Sequence, residues 1–225
     1  MGKKKERALR QEIIDCCLQM NALGINQGTS GNISARWQEG LLITPSGVPY
    51  EQLELDDIVY MDLQGRHDKT QTPSSEWRFH VAILQNRSDL NAVVHTHSLY
   101  ATAIAIMGWD IPALHYMIAA AGGPTIRCAP YATFGSEALS EHALQALQDR
   151  TACLLANHGV IATGPGLAKA LWLAKEVEVL AQQFYLSAQM GGPNLLSDQE
   201  IERVVEKFKS YGARPKPKTK KKLSG

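Results

Sequence analysis

Two pairs of short apolar runs stand too close together in this chain to be joined by a crossover. Ile33 to Trp37 and Leu41 to Thr44 flank a turn near Glu39-Gly40, and Ala152 to Ala156 and Val160 to Thr163 flank Asn157-His158-Gly159. A parallel pair needs a connection of about a dozen residues or more, so these spacings predict hairpins. Further strand patterns at Ile58 to Asp62 and Ala92 to His95 are interspersed with helical ones, without the regular strand-helix alternation of a doubly wound fold. The expected class is α/β in the α+β sense, a central, mainly antiparallel mixed sheet flanked by helices.

The helices announce themselves by periodicity and caps. Leu9, Ile13, Cys16, Cys17 and Met20 recur at three and four residues, an amphipathic helix that Gly24 can end. Pro73-Ser74-Ser75-Glu76 opens a helix to about Asn86, with Ser74 or Ser75 as its cap and Trp77, Val81 and Leu84 on one face. Leu99 to Met107 reads as helix, Ser136 caps another through Leu147, and a long one covers about Leu167 to Gln189. Ser197-x-x-Glu200 is a capping-box pattern for a last helix through Phe208. Between positions 111 and 135, Pro112, Gly122, Gly123, Pro124 and Pro130 break any long element.

Charge and composition narrow the function. The 225 residues carry 23 Lys plus Arg against 22 Asp plus Glu, which argues against nucleic acid as a partner of the whole chain. Six of those basic residues stand in positions 213–225 with no acid, so the other 212 residues hold 17 basic against 22 acidic side chains, a net −5. The expected organisation is one domain over 1–212 followed by a basic, disordered tail over 213–225. No run approaches the roughly 20 apolar residues of a membrane helix, and the N-terminus lacks the apolar core of a secretory signal, so no membrane is expected and the cytoplasm is the expected location. Cys16, Cys17, Cys128 and Cys153 show no CxxC spacing and read as buried free thiols. Neither GxGxxG nor GxxxxGK[ST] follows a strand, which disfavours a nucleotide enzyme.

The chemistry concentrates in a few segments. In His95-Thr96-His97 the alternate residues of a strand end face one way, so two imidazoles can converge on one ion. His158 beside Gly159, where backbone can approach closely, offers a third nitrogen. Three neutral imidazoles suit Zn²⁺ with a coordination position left open. Glu76 at a helix start is the acid/base candidate. Ser74, Ser75, the loop Gly28-Thr29-Ser30-Gly31-Asn32 and the turn Thr44-Pro45-Ser46-Gly47 offer hydroxyls and backbone amides suited to a phosphate. Each piece alone is common; HxH, a distant His-Gly and Ser-Ser-Glu together are specific.

The ordered segments NQGTSGNIS, LLITPSGVPYE, PSSEWRFH, AVVHTH, PALHYMIAAAGG, APYATFGS and NHG before KALWLAKEVEVLAQ resemble the class II aldolase/ribulose-phosphate epimerase superfamily, over about residues 8–212. The resemblance is strongest to its fuculose-phosphate-cleaving branch. It implies a lyase that reversibly splits L-fuculose 1-phosphate into dihydroxyacetone phosphate and L-lactaldehyde, with one zinc ion per subunit. It also implies a cyclic homotetramer with active sites at subunit interfaces. By motif, His95, His97, His158 and Glu76 match the zinc ligands, with Glu76 also the acid/base. Thr29, Asn32, Gly47, Ser74 and Ser75 match the phosphate cradle, and Tyr116 matches a tyrosine reaching a neighbouring subunit's site.

Deprotonating carbon beside a ketone asks too much of a carboxylate alone, so a cation must take the developing charge. Glu76 separates the aldolase from the superfamily's epimerases, which typically carry Asp there; dehydratases share the Glu and histidines. Thr96, Ser98, Tyr100 and Asn157 depart from residues found in close aldolases and bear on the aldehyde pocket. Two alternatives remain: an aldolase for another ketose 1-phosphate such as a deoxypentulose phosphate, and a non-enzymatic aldolase-like interaction module. Three metal-type histidines plus Glu76 argue against the module.

Overall fold

The computed structural model of the chain describes residues 2–210. The basic stretch 213–225 lies outside them, as does the end of the expected 1–212 domain.

Helix α1 (Gly2–Ala22) buries Ile13, Ile14, Cys16, Cys17 and Met20, the stripe its spacing predicts, and the chain leaves it through Gly24 at φ +69°, a left-handed value suited to glycine. Strands β1 (Asn32–Trp37) and β2 (Gly40–Ile43) form the first hairpin, with Trp37 opposite Gly40. Strand β3 (Val59–Asp62) adds antiparallel to β2. Helix α2 (Trp77–Asn86) follows, then β4 (Ala92–Thr96), α3 (Leu99–Ile106), a 3₁₀ turn over Tyr116–Ala121 and the two-residue β5 (Cys128–Ala129). Helix α4 (Glu137–Ala146), the hairpin β6 (Ala152–Leu155) and β7 (Gly159–Gly164), α5 (Leu167–Gln189) and α6 (Asp198–Ser210) complete the described chain.

The seven strands form one sheet in the order β3-β2-β1-β4-β7-β6-β5, antiparallel throughout except for β5 on β6. The mainly antiparallel mixed sheet read from the hairpins is therefore the one found. Three local expectations change. Glu76, not Ser74 or Ser75, occupies the N-cap position of α2, and it makes no side-chain cap bond. At α6 only half of the box is made: Ser197 Oγ accepts from the Glu200 N–H at 3.2 Å, while the Glu200 carboxylate pairs with Arg203 at 2.6 Å. Cys16, Cys17 and Cys153 are buried free thiols, but Cys128, starting the edge strand β5, is only half-buried.

Period-two alternation sends successive side chains to opposite faces. Ile33, Ala35, Leu42, Ala92, Val94, Val160 and Ala162 join the larger core with α1, α3 and α5. Leu41, Ile43, Val93, Leu155 and Ile161 join the smaller core, which takes Phe79, Ile83 and Leu84 from α2 and Leu139 and Ala143 from α4. By the same alternation His95 falls on the face of Val93, toward α2. Because β1, β4 and β7 run antiparallel in turn, the start of β1, the end of β4 and the start of β7 lie at one end of the sheet. There Asn32 stands opposite His95, which stands opposite Ile161.

Candidate metal centre and substrate cavity

That end of the sheet collects the functional side chains. His95 closes β4, His97 follows two residues on, His158 sits in the β6–β7 turn after Asn157 at φ +54°, and Glu76 stands immediately before α2. Glycine makes the approach possible: a Cβ on Gly159 would lie 2.4 Å from the Thr96 carbonyl oxygen and 2.9 Å from His97 Cδ2, and one on Gly31 would lie 2.5 Å from the His95 carbonyl oxygen. The metal-binding atoms of Glu76, His95, His97 and His158 all lie within 4.8 Å of one another.

The hydrogen bonds around this group fix its chemistry. His95 Nδ1 is 2.8 Å from the Val160 carbonyl oxygen, which only accepts, so Nδ1 carries the ring's proton. The Nε2 lone pair of a neutral His95 then points at Glu76 Oε2, 3.1 Å away, and at His97 Nε2, 3.0 Å away. Glu76 Oε1 is buried without a hydrogen-bond donor, although His158 Nε2 is 3.1 Å from it. Electron pairs converging in a buried site repel unless a positive charge lies among them. Burial, then the His95 and His158 rings, push the His97 imidazole down to about 4, leaving it neutral as a ligand must be. Burial would raise the Glu76 carboxyl; protons on His95 and His158 hold it well below the usual carboxylate range, and with those rings neutral that positive charge must come from a cation among them. Three imidazole nitrogens and one carboxylate thus suit a divalent metal ion.

The group opens into a cavity of about 360 Å³ lined by Thr29, Ser30, Ser75, Glu76, His97, Tyr131, Ala132, Phe134, Asn157 and His158. Thr29 and Ser75 are exposed there. Ser74 and Asn32 are buried and turned inward: Ser74 Oγ accepts from the Glu76 N–H at 3.3 Å, and Asn32 Nδ2 donates to Glu76 Oε2 at 3.0 Å. Gly47 lies in an exposed turn at φ +73°, outside that lining. Its turn is tied to the segment before α2, Ser46 N donating to the Thr72 carbonyl and Ser74 N to the Thr44 carbonyl. Tyr116 is not brought to the cavity within one chain; half-exposed, it lines a separate hollow of about 940 Å³ with Trp172 and Phe208.

Several residues at the site carried no sequence signal of their own. Tyr131 and Phe134, exposed aromatics between Pro130 and Gly135, line the cavity, and a loop that leaves two such rings in water was the available cue. Glu178 of α5 accepts from the Tyr100 and Ala101 N–H groups, both at 2.9 Å, and so caps α3 just after the His95–His97 segment. His80 joins the site from α2 through Asn32.

Together the sheet and its terminal metal-type group define a class II aldolase fold. The chain belongs to the family described as Class II Aldolase and Adducin N-terminal domain, whose signature matches residues 11–185. It is 56% identical over 207 residues to the L-fuculose phosphate aldolase of Escherichia coli (strain K12), covering 92% of this chain and 96% of that one. It is 53% identical over 205 residues to a 5-methylthioribulose-1-phosphate/5-deoxyribulose-1-phosphate aldolase of Rhodospirillum rubrum, covering 91% and 93%. A solved L-fuculose 1-phosphate aldolase superposes with a TM-score of 0.87 at 38% identity, covering 90% of this chain and 96% of that one. The chain is accordingly an aldolase of class II, a carbon–carbon lyase. Among the described residues no helix is long and apolar enough to cross a membrane.

Proposed function

We propose that this aldolase reversibly cleaves L-fuculose 1-phosphate to dihydroxyacetone phosphate and L-lactaldehyde, with zinc as its metal. The observation that carries the reading is the donor-free Glu76 Oε1 among three imidazoles, at the wall of a cavity whose mouth carries Ser75 and Thr29. The 56% identity to the E. coli fuculose phosphate aldolase supports the choice of sugar.

Each part has a task the chain's own atoms can perform. Ser75, Thr29 and the backbone amides around Gly47 hold the phosphate in a body whose net charge is negative, and this remote anchoring orients the reacting carbon. His95, His97, His158 and Glu76 hold the ion, which supplies electrophilic stabilisation of the charge developing on the ketone oxygen. Glu76 Oε1, the carboxylate oxygen with no donor, moves the carbon proton. Tyr131 and Phe134 give the aldehyde end an aromatic wall. Tyr116 donates to the aldehyde oxygen from a neighbouring subunit of a homotetramer.

The test is a coupled cleavage assay on L-fuculose 1-phosphate and a panel of ketose 1-phosphates, with and without chelator. Cleavage of the fuculose ester is expected to be fastest, lost on chelation and restored by zinc. Chelator-resistant cleavage overturns the metal, and preference for 5-deoxyribulose 1-phosphate moves the substrate to the activity named for the R. rubrum relative. For the shared site, mixing Glu76→Gln and Tyr116→Phe subunits is expected to regain activity that neither has alone; no regain sinks the tyrosine's role across the interface.

A further inference from the structure

Behind Glu76 runs a line of buried polar groups that reaches the metal site only through that carboxylate. Ser34 Oγ is 2.7 Å from His80 Nδ1, His80 Nε2 is 2.5 Å from Asn32 Oδ1, and Asn32 Nδ2 is 3.0 Å from Glu76 Oε2. Ser34 and His80 are wholly inaccessible, and Asn32 and Glu76 nearly so. The geometry follows from two periodicities. Asn32 and Ser34 are alternate residues of β1 and share the face toward α2, while His80 stands one helical turn after Glu76 and lies over both.

The carboxylate at one end and the Ser34 hydroxyl at the other together set every proton along this line. A carboxylate only accepts, so Asn32 must turn its NH₂ to Glu76 and its carbonyl oxygen to His80. His80 Nε2 must then carry a hydrogen. Burial pushes the His80 imidazole down to about 3, so the ring is neutral and its Nδ1 is an acceptor, filled by the Ser34 hydroxyl. Stacking on Phe79, at 4.6 Å between ring centroids and 25° between planes, keeps the ring from turning away.

We propose that Ser34 and His80 are positioning residues of the aldolase, which lock the orientation of the Asn32 amide and through it commit Glu76 Oε2 to a hydrogen bond, leaving Oε1 as the working oxygen. The proposal rests on the role of Glu76 given above. Without the Ser34 hydroxyl the imidazole is free to move its hydrogen to Nδ1. Its Nε2 then accepts, the Asn32 amide flips, and a carbonyl oxygen faces the Glu76 carboxylate.

The test pairs a spectroscopic readout with kinetics. In ¹⁵N-labelled protein, the side chain of His80 is expected as the single Nε2–H tautomer, and in Ser34→Ala as a mixture with the Nδ1–H form. Ser34→Ala is expected to lower kcat about tenfold on whichever ketose 1-phosphate the native protein cleaves, with KM little changed, the size usual for groups that orient a metal-site ligand. In a His80→Gln background, whose amide still donates to Asn32 but has no tautomer, Ser34→Ala is expected to add nothing further. A native Nδ1–H tautomer, or a Ser34→Ala variant with native kcat, overturns the proposal. The tautomer is read without substrate, so it stands or falls apart from the choice of sugar, and it is read on native protein should a variant fail to fold.

Discussion

Helices α2 and α4 pack side by side on one face of the sheet, and each is entered through a Ser-containing turn, yet they begin in opposite ways. At α4 the extended Ser136 (φ −80°, ψ 159°) accepts from the Leu139 N–H at 3.2 Å, an ordinary cap. At α2 the N-cap residue is Glu76 (φ −101°, ψ 13°), which turns its carboxylate to His95 and His158 and caps nothing, while Ser75 faces the cavity. A cap is worth about 1 kcal/mol. The start of α2 goes without that stabilisation, and its carboxylate and hydroxyl stay available to an ion and an anion.

The largest effect is expected where the contrast is sharpest. Glu76→Gln keeps the size of the side chain but removes the charge, so kcat for cleavage should fall on the order of 10³-fold, read on protein whose thermal unfolding shows that it is folded. A stable Glu76→Gln enzyme that cleaves at the native rate would make the α2 start merely an odd cap.

A second difference is that α2 carries a buried imidazole. His80 titrates at about 3 in the folded chain against 6.5 ordinarily. The unfolded chain therefore binds the extra proton between those values, and stability falls as the pH drops from 6.5 toward 3, by up to about 1.4 kcal/mol per pH unit. His97, pushed down to about 4, acts in the same direction. Glu76 also acts in that direction but at lower pH: held low, its contribution is intact above the ordinary carboxylate range and is lost only at more acid pH. Urea titrations of chelator-treated protein from pH 7 to 4.5 should show this slope, and His80→Gln should flatten it; an unchanged slope in the variant would move its origin elsewhere.

How much of this was legible depends on how local its cause is. The hairpins, the β4 strand and the α4 cap follow from residues adjacent in sequence, and the structure has them in place. The four metal-type residues were legible because histidine at alternate positions, His-Gly and Ser-Ser-Glu are unusual in combination. The parallel β5 was not, since two residues carry no periodicity and its pairing is set by β6. His80 one turn into an apolar helix reads as ordinary core; only the pairing that stacks β1 beside β4 under α2 reveals that it faces Asn32. The Ser74/Ser75 cap failed for a related reason, because the demand on the backbone at α2 comes from histidines on other strands.

The smallest effects separate the two helix starts most cleanly. Ser75→Ala removes an exposed hydroxyl at the cavity, so it should raise KM for a phosphorylated substrate about tenfold, a hydrogen bond to a charged group being worth roughly 1.5–3 kcal/mol, and leave stability alone. Ser136→Ala should cost about 1 kcal/mol of stability and leave KM alone. The starts touch: a Cβ on Gly135 would lie 2.6 Å from the Ser75 carbonyl oxygen, and Arg78 Nη1 donates to the Gly135 carbonyl at 2.9 Å. The double variant is therefore the stringent case. If KM and stability each shift as in the single variants, the two starts do separate work despite their contact. If Ser136→Ala raises KM by itself, the α4 cap is part of the cavity wall, and the division between a capped helix that stabilises and an uncapped one that binds gives way to a single structure serving both.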